Sequence, residues 1–226
     1  MFARLRRWLA PAPGLTPRQA ERLAAWRALP EGGQGRCVVV DVETTGLNLA
    51  SDSLISIGAV AVADGRIALG DSFYVVLQQR ESSARENILV HGISGSVQRG
   101  GVEPAEALLA FLEFLGKSPL VAFHVAFDET MIRRALRRHL GLSFRHAWLD
   151  LAYAMPALYP QLAYSHRMLD DWIGRFGIRI EARHHALADA LATAQLLQIA
   201  LARAQGKGLA GLRDLERSQR IASGVS

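Results

Sequence analysis

The sequence predicts a mixed α/β or α+β domain, and three observations carry that prediction. The run Cys37–Val42 is short, β-branched and wholly apolar, as a strand buried on both faces should be. Two further strand-like runs, Leu54–Ala63 and Arg66–Leu77, are joined by Asp64-Gly65, a dipeptide suited to a tight hairpin because both residues tolerate positive φ. After them, helix-period segments alternate with brief apolar runs, which adds a layer of helices to an antiparallel beginning.

Taken in order, the chain opens with MFARLRRWLAPAPG, where a basic lead-in helix is expected before Pro11, Pro13 and Gly14 break it. Thr16-Pro17-Arg18-Gln19 then supplies an N-cap, a proline at the first helical position and a capping-box partner, so a helix should run from about Pro17 to Leu29. Glu31–Gly35 reads as a flexible joint. The three antiparallel strands follow, with the first of them near the middle of the sheet. Leu108, Phe111, Leu112 and Leu115 share one face of a helix over Pro104–Leu115, which Gly116 is placed to end. Later elements are a strand at Leu120–Phe123, a helix at Asp128–Leu140, a strand at Ala147–Leu149, and helices at Met168–Phe176 and about Ala186–Ala204. This divides the chain into a basic helical N-terminal extension (1–36), a main domain (37–205) and a C-terminal tail (206–226).

Composition limits the function classes. Half of the 226 residues are hydrophobic, with 8 Phe, 4 Tyr and 4 Trp, so a disordered tail, a collagen or a disulfide-stapled miniprotein is excluded. The 26 Lys and Arg outnumber the 21 Asp and Glu, a formal net charge of +5 that suits polyanionic partners. No apolar run reaches the 18 or more residues of a membrane span, and the first residues lack the pattern of a secretory signal. With a single cysteine, Cys37, the chain can form no internal disulfide and fits a reducing cytoplasm.

Three clusters could carry chemistry. Asp41 and Glu43 end the first strand, and the period of two puts both carboxylates on one face. At about 4 Å and an effective dielectric of about 20 they would repel by about 4 kcal/mol, so a cation must compensate them or one must be protonated. Thr44-Thr45-Gly46 makes a small polar turn beside them that a ligand can approach closely. By itself an Asp-x-Glu pair is an ordinary strand end. Asp128, where a buried strand runs into a helix, is equally a good helix-starting residue. Asp189 is flanked on its helix by Ala186, Leu187, Ala190 and Leu191, and a carboxylate so placed needs a partner. His184 would stand about 140° away on a continuous helix, so the two converge only if His184 lies in the preceding loop.

Taken together, Asp41-Val-Glu43-Thr-Thr-Gly, the Phe127-Asp128 pair and His184-x-Ala-Leu-x-Asp189-Ala resemble, in order and approximate spacing, the motifs of the DEDDh or DnaQ-like exonucleases, over residues 37 to about 203. Within that family the chain is similar to the proofreading epsilon subunit of bacterial DNA polymerase III. Val90-His91-Gly92-Ile93-Ser94 resembles the family's HGI segment, whereas Phe123 and His124 stand where the second motif often has His-Asn.

The resemblance implies a ribonuclease H-like mixed five-stranded sheet flanked by helices, behind the helical N-terminal extension. It implies metal-dependent 3′–5′ hydrolysis of phosphodiester bonds at the 3′ end of single-stranded or frayed DNA, releasing nucleoside 5′-monophosphates in proofreading or repair. Asp41, Glu43, Asp128 and Asp189 would hold two divalent cations, Mg2+ or Mn2+, with Asp41 bridging both and Glu43 and Asp189 on the ion that binds the attacking water. His184 would be the general base, a role open to an imidazole because that group can accept a proton at neutral pH. Thr44 and Leu47 would line the pocket for the terminal nucleotide, and Phe127 and His91 would contact its base or sugar. DNA is favoured over RNA as substrate, a DNA polymerase is a candidate partner, and no membrane is involved. The rivals are a 3′–5′ exoribonuclease of the RNase T or oligoribonuclease type and a non-catalytic polymerase-associated nucleic-acid-binding module. Finally, Arg133, Arg134, Arg137 and Arg138 form a basic helix face that is either simply solvated or tracks a phosphate backbone.

Overall fold

A computed structural model describes residues 14–32, 35–209, 211–212 and 214–215. The expected lead-in helix before Pro11 and most of the C-terminal tail lie outside these residues. The described elements are α1 (Pro17–Ala28), β1 (Arg36–Thr44), β2 (Leu54–Ala63), β3 (Arg66–Val76), α2 (Arg85–His91), α3 (Gly95–Arg99), α4 (Pro104–Leu115), β4 (Leu120–Ala122), α5 (Val125–Leu140), β5 (Trp148–Asp150), α6 (Leu151–Leu158), α7 (Leu169–Phe176) and α8 (Ala186–Gln205). The five strands form one mixed sheet in the order β3-β2-β1-β4-β5, and β1 is central, as its unbroken apolar run requires. β1, β2 and β3 are antiparallel neighbours, while β4 and β5 run parallel to β1. The expected hairpin is present, with Asp64 at φ 50° and Gly65 at φ 74°.

The alternation of β1 sorts its side chains between two cores. Val38, Val40 and Val42 enter a cluster with α4 and α5, and Cys37 and Val39 enter a second one with α6, α7 and α8. Asp41 and Glu43 continue the second row, so the pleat itself aims them at the helix that carries Asp189.

At α1 the capping box forms as expected between Thr16 and Gln19. This helix lies on α4: Leu23 and Trp26 join the first core cluster, the Trp26 Nε1 donates to the Gly116 carbonyl at 2.8 Å, and Arg22 pairs with Glu106 and Glu113.

Two expectations need adjustment. The helix expected from Asp128 begins three residues earlier, at Val125, with His124 in the left-handed region at φ 66°. Its start is fixed from across the sheet, where the Asp150 carboxylate accepts the His124 and Val125 N–H groups at 3.0 Å each. Asp150 also caps α6 through the Ala152 N–H at 2.9 Å. The short helices α2, α3 and α6 had no periodic signal; α6 even contains Pro156. Among the described residues no helix is long and apolar enough to cross a membrane.

Candidate active site

The central strand, the first turns of α5 and the loop before α8 meet at one end of the sheet. Asp41, Glu43 and Asp189 each offer a carboxylate oxygen, and these three atoms lie within 4.8 Å of one another. At an effective dielectric of about 20 each such pair repels by about 3–4 kcal/mol. The repulsion is visible in the acidities. Burial, then Asp189, lifts the Asp41 carboxyl well above its ordinary range, against a smaller lowering by Arg183. Burial, then Asp41 and Asp189, pushes Glu43 up to about 9. Asp128 stands beside Asp41 but is not one of the three; burial and the Asp41 charge raise it well above 3.8, partly offset by the backbone N–H groups of Asp128 and Val42. A cluster of oxygen donors that cannot all ionise unaided is suited to a hard divalent cation.

His184 lies in the loop that helical geometry demanded, at φ 58°, and its backbone N–H donates to Asp189 Oδ2 at 2.9 Å. The residue itself is exposed. Next to it, His185 stacks on Tyr74, with ring centroids 4.7 Å apart.

The remaining residues fall into three environments. Leu47 is 86% exposed at the tip of the loop leaving β1, while Thr44 is buried with its hydroxyl donating to the Gly46 carbonyl at 2.6 Å. Phe127 is half-buried against the first core cluster, one residue before Asp128. His91 is buried: its Nδ1 accepts the Ile93 N–H at 3.0 Å and its Nε2 lies 3.3 Å from the Ser83 hydroxyl. With both nitrogens engaged it shapes the turn after α2 and has no free polar atom for a nucleotide.

Four further groups position the site, of which the sequence singles out only Arg134, as part of a basic helix face. Gly58 pairs with Asp41 across β1 and β2, and α8 packs directly on it: a Cβ there would stand 2.2 Å from the Ala186 carbonyl carbon and the Leu187 nitrogen. A glycine inside an otherwise β-branched strand is the signal for such an approach. Asp150, at the end of β5, orients the helix that bears Asp128. Arg134 binds the carbonyls of Ala50 and Asp52, at 2.9 and 3.0 Å, and that of Leu49, so it fastens the loop that carries Leu47.

Arg183 is the fourth. Its guanidinium pairs with Asp189 Oδ1 and is held on its other side by Asp170 at 2.7 Å. It is an internal counter-charge to the acidic cluster. Arg183→Gln is expected to lower the melting temperature in EDTA, because a half-open partner to a buried carboxylate contributes about 1–2 kcal/mol, or about 2–8 °C here. The variant should also gain more than the wild type from added Mg2+. Equal melting temperatures in EDTA would show that Arg183 does not neutralise the cluster.

Comparison with known proteins fits this geometry. Residues 38–197 match the family described as Exonuclease. The chain is 34% identical over 161 residues to the PolC-type DNA polymerase III of Clostridium perfringens, covering 71% of this chain and 11% of that protein. It is 31% identical over 175 residues to the DNA polymerase III subunit epsilon-like protein of Rhodobacter capsulatus, covering 76% and 24%. The chain therefore spans a quarter or less of these relatives' length. Among solved structures, E. coli exonuclease I in complex with a dT13 oligonucleotide superposes with a TM-score of 0.66 at 18% identity, covering 77% of this chain and 43% of that one. Exonuclease X in complex with 5′ overhanging duplex DNA gives 0.61 at 17%, covering 81% and 99%. At these identities the structural likeness speaks for the fold, a mixed five-stranded sheet flanked by helices of ribonuclease H type.

Proposed function

This chain belongs to the exonuclease family, and from that premise we propose that it is a metal-dependent 3′–5′ exonuclease releasing nucleoside 5′-monophosphates from single-stranded or frayed DNA. The observation that carries the reading is the grouping of Asp41, Glu43 and Asp189 within 4.8 Å, with Asp128 beside Asp41 and His184 on the adjoining loop. The DNA-bound states named for exonuclease I and exonuclease X support DNA as the substrate, and the polymerase relatives support a role in proofreading or repair beside a DNA polymerase, in the cytoplasm.

Asp41, Glu43, Asp128 and Asp189 would hold two divalent cations, Mg2+ or Mn2+, which when bound acidify the attacking water and stabilise the leaving oxygen. The chain's own groups do the rest. His184, exposed and with its backbone tied to Asp189, takes the proton of the attacking water. Exposed Leu47 presses on the terminal base, Thr44 shapes the backbone beneath it, and Phe127 supports the opposite wall, while His91 fixes the turn that borders the pocket.

The test is incubation of 5′-labelled single-stranded DNA and RNA of matched sequence with Mg2+, Mn2+ or EDTA. Stepwise metal-dependent shortening is the expected result, faster on DNA. His184→Gln should lower kcat by about 10²–10⁴-fold while leaving oligonucleotide binding intact. If neither polymer is shortened with either ion, the enzyme reading fails.

A further inference from the structure

Behind the loop that carries Leu47 lies a groove of about 1390 Å³, walled by Thr45 and Asp52–Leu54, by residues 77–84 that follow β3, and by one face of α5. Five arginines line it: Arg80, Arg99, Arg134, Arg137 and Arg138. Arg134 is occupied by the loop carbonyls, and on the same helix Arg133 pairs with Glu129. The other four groove arginines are exposed, and among the described residues none lies within ion-pair distance of a carboxylate. Acidic groups also border the groove, but two of them are spent internally. Asp52 binds Thr45 and the Asn48 N–H, and Glu103 caps α4. Only Glu81 is left to answer four free guanidiniums.

Cations kept this close together repel one another, and on a purely structural surface carboxylates would be interleaved with them. We infer that the groove binds the phosphate backbone of the substrate strand upstream of its 3′ end, as an electrostatic track without base readout. The inference rests on the nuclease reading for the identity of the strand. Geometry supports the connection: Thr45, Asp52 and Ser53, at the two ends of the loop that carries exposed Leu47, line the groove, so a strand leaving the terminal pocket over Leu47 has the groove beside it. It also resolves the arginine face of α5, whose members divide between Arg134 as a loop clamp and Arg137 and Arg138 as phosphate contacts.

The experiment measures binding by fluorescence anisotropy in EDTA across a salt series, with labelled single-stranded DNA of about three and about fifteen nucleotides, lengths that bracket a small single-strand site. The proteins are the wild type, the quadruple variant Arg80→Ala/Arg99→Ala/Arg137→Ala/Arg138→Ala, and the corresponding quadruple lysine variant. With about 0.7 counterions released per phosphate contact, the alanine variant should bind the longer strand about tenfold or more weakly and lose about 2–3 from the slope of log K against log salt. The lysine variant should recover the slope, and Mg2+-dependent hydrolysis of the trinucleotide should match the wild type in both. An unchanged slope in the alanine variant, or no recovery with lysine, overturns the proposal and leaves the groove to a partner of another kind. Because binding is read without catalysis, a wild type that fails to cut the trinucleotide sinks the nuclease reading separately.

Discussion

Asp41→Asn is expected to give a folded protein that binds single-stranded DNA and does not hydrolyse it. Asp41 is at the centre of the repulsion: it raises both Glu43 and Asp128, and it is itself raised by Asp189. On the proposed reading, in which the cluster holds metal, removing one anionic ligand forfeits several kcal/mol of charge stabilisation, which at 1.36 kcal/mol per decade is a loss of about 10³-fold or more in kcat. The same change acts oppositely on stability. Carboxyls whose folded pKa lies above the unfolded value keep protons that the unfolded chain has released, so in EDTA the wild type must lose stability as pH rises from about 4.5 towards the value near 9 reached by Glu43. Asparagine removes the most crowded of these groups, so the variant should melt higher than the wild type in EDTA at the alkaline end, by about 2–4 °C per kcal/mol relieved, with a flatter pH profile. Added Mg2+ should raise the wild type's melting temperature most at that alkaline end, since a cation competes with the protons. A variant that retains hydrolysis, or an EDTA profile that rises with pH, contradicts this account of the site.

Gly58→Ala should be nearly as damaging without touching a charge. Its Cβ would stand 2.2 Å from the Ala186 and Leu187 backbone, so α8 must retreat by more than about 1 Å to reach ordinary contact distance. That retreat carries Asp189 and the His184 loop away from Asp41 and Glu43, and a misplacement of about 1 Å can cost about 10²-fold in rate. Overpacking at a sheet–helix contact should also cost about 1–3 kcal/mol of stability. Gly70→Ala is the control, because that glycine on β3 faces open space. If kcat falls for Gly58→Ala while oligonucleotide binding and the Gly70→Ala variant stay normal, the helix seat is the cause. Equal kcat values for the two variants would show that the sheet yields instead.

Legibility in the sequence followed the range of the forces involved. The sheet's first three strands, the hairpin at Asp64-Gly65, the capping box of α1 and the span of α4 are set by neighbours in the chain, and each was readable from periodicity or cap chemistry. The pairing of Asp41 with Glu43 and the loop position of His184 follow from strand and helix geometry alone. What was hidden depends on groups distant in sequence. The start of α5 is set by Asp150, 25 and 26 residues away, and the seat of α8 by Gly58 in another layer. Arg183 was passed over because its value comes from touching Asp170 and Asp189 together, a contact that only the folded loop creates. His91, which the resemblance gives as a contact to the terminal base or sugar, is instead held by its neighbours Ser83 and Ile93.

The Arg183 counter-ion also bears on how the chain matures. Many metalloproteins cannot complete their fold until the ion arrives, because the ligand charges have nothing else to answer them. Here the polypeptide brings its own positive charge to Asp189 and tethers it with Asp170. On the proposed metal-dependent reading, synthesis and metal loading would then be separate events: the newly made chain can keep Asp189 answered by Arg183 while it folds in a metal-poor setting, and divalent ions would act on a site already assembled.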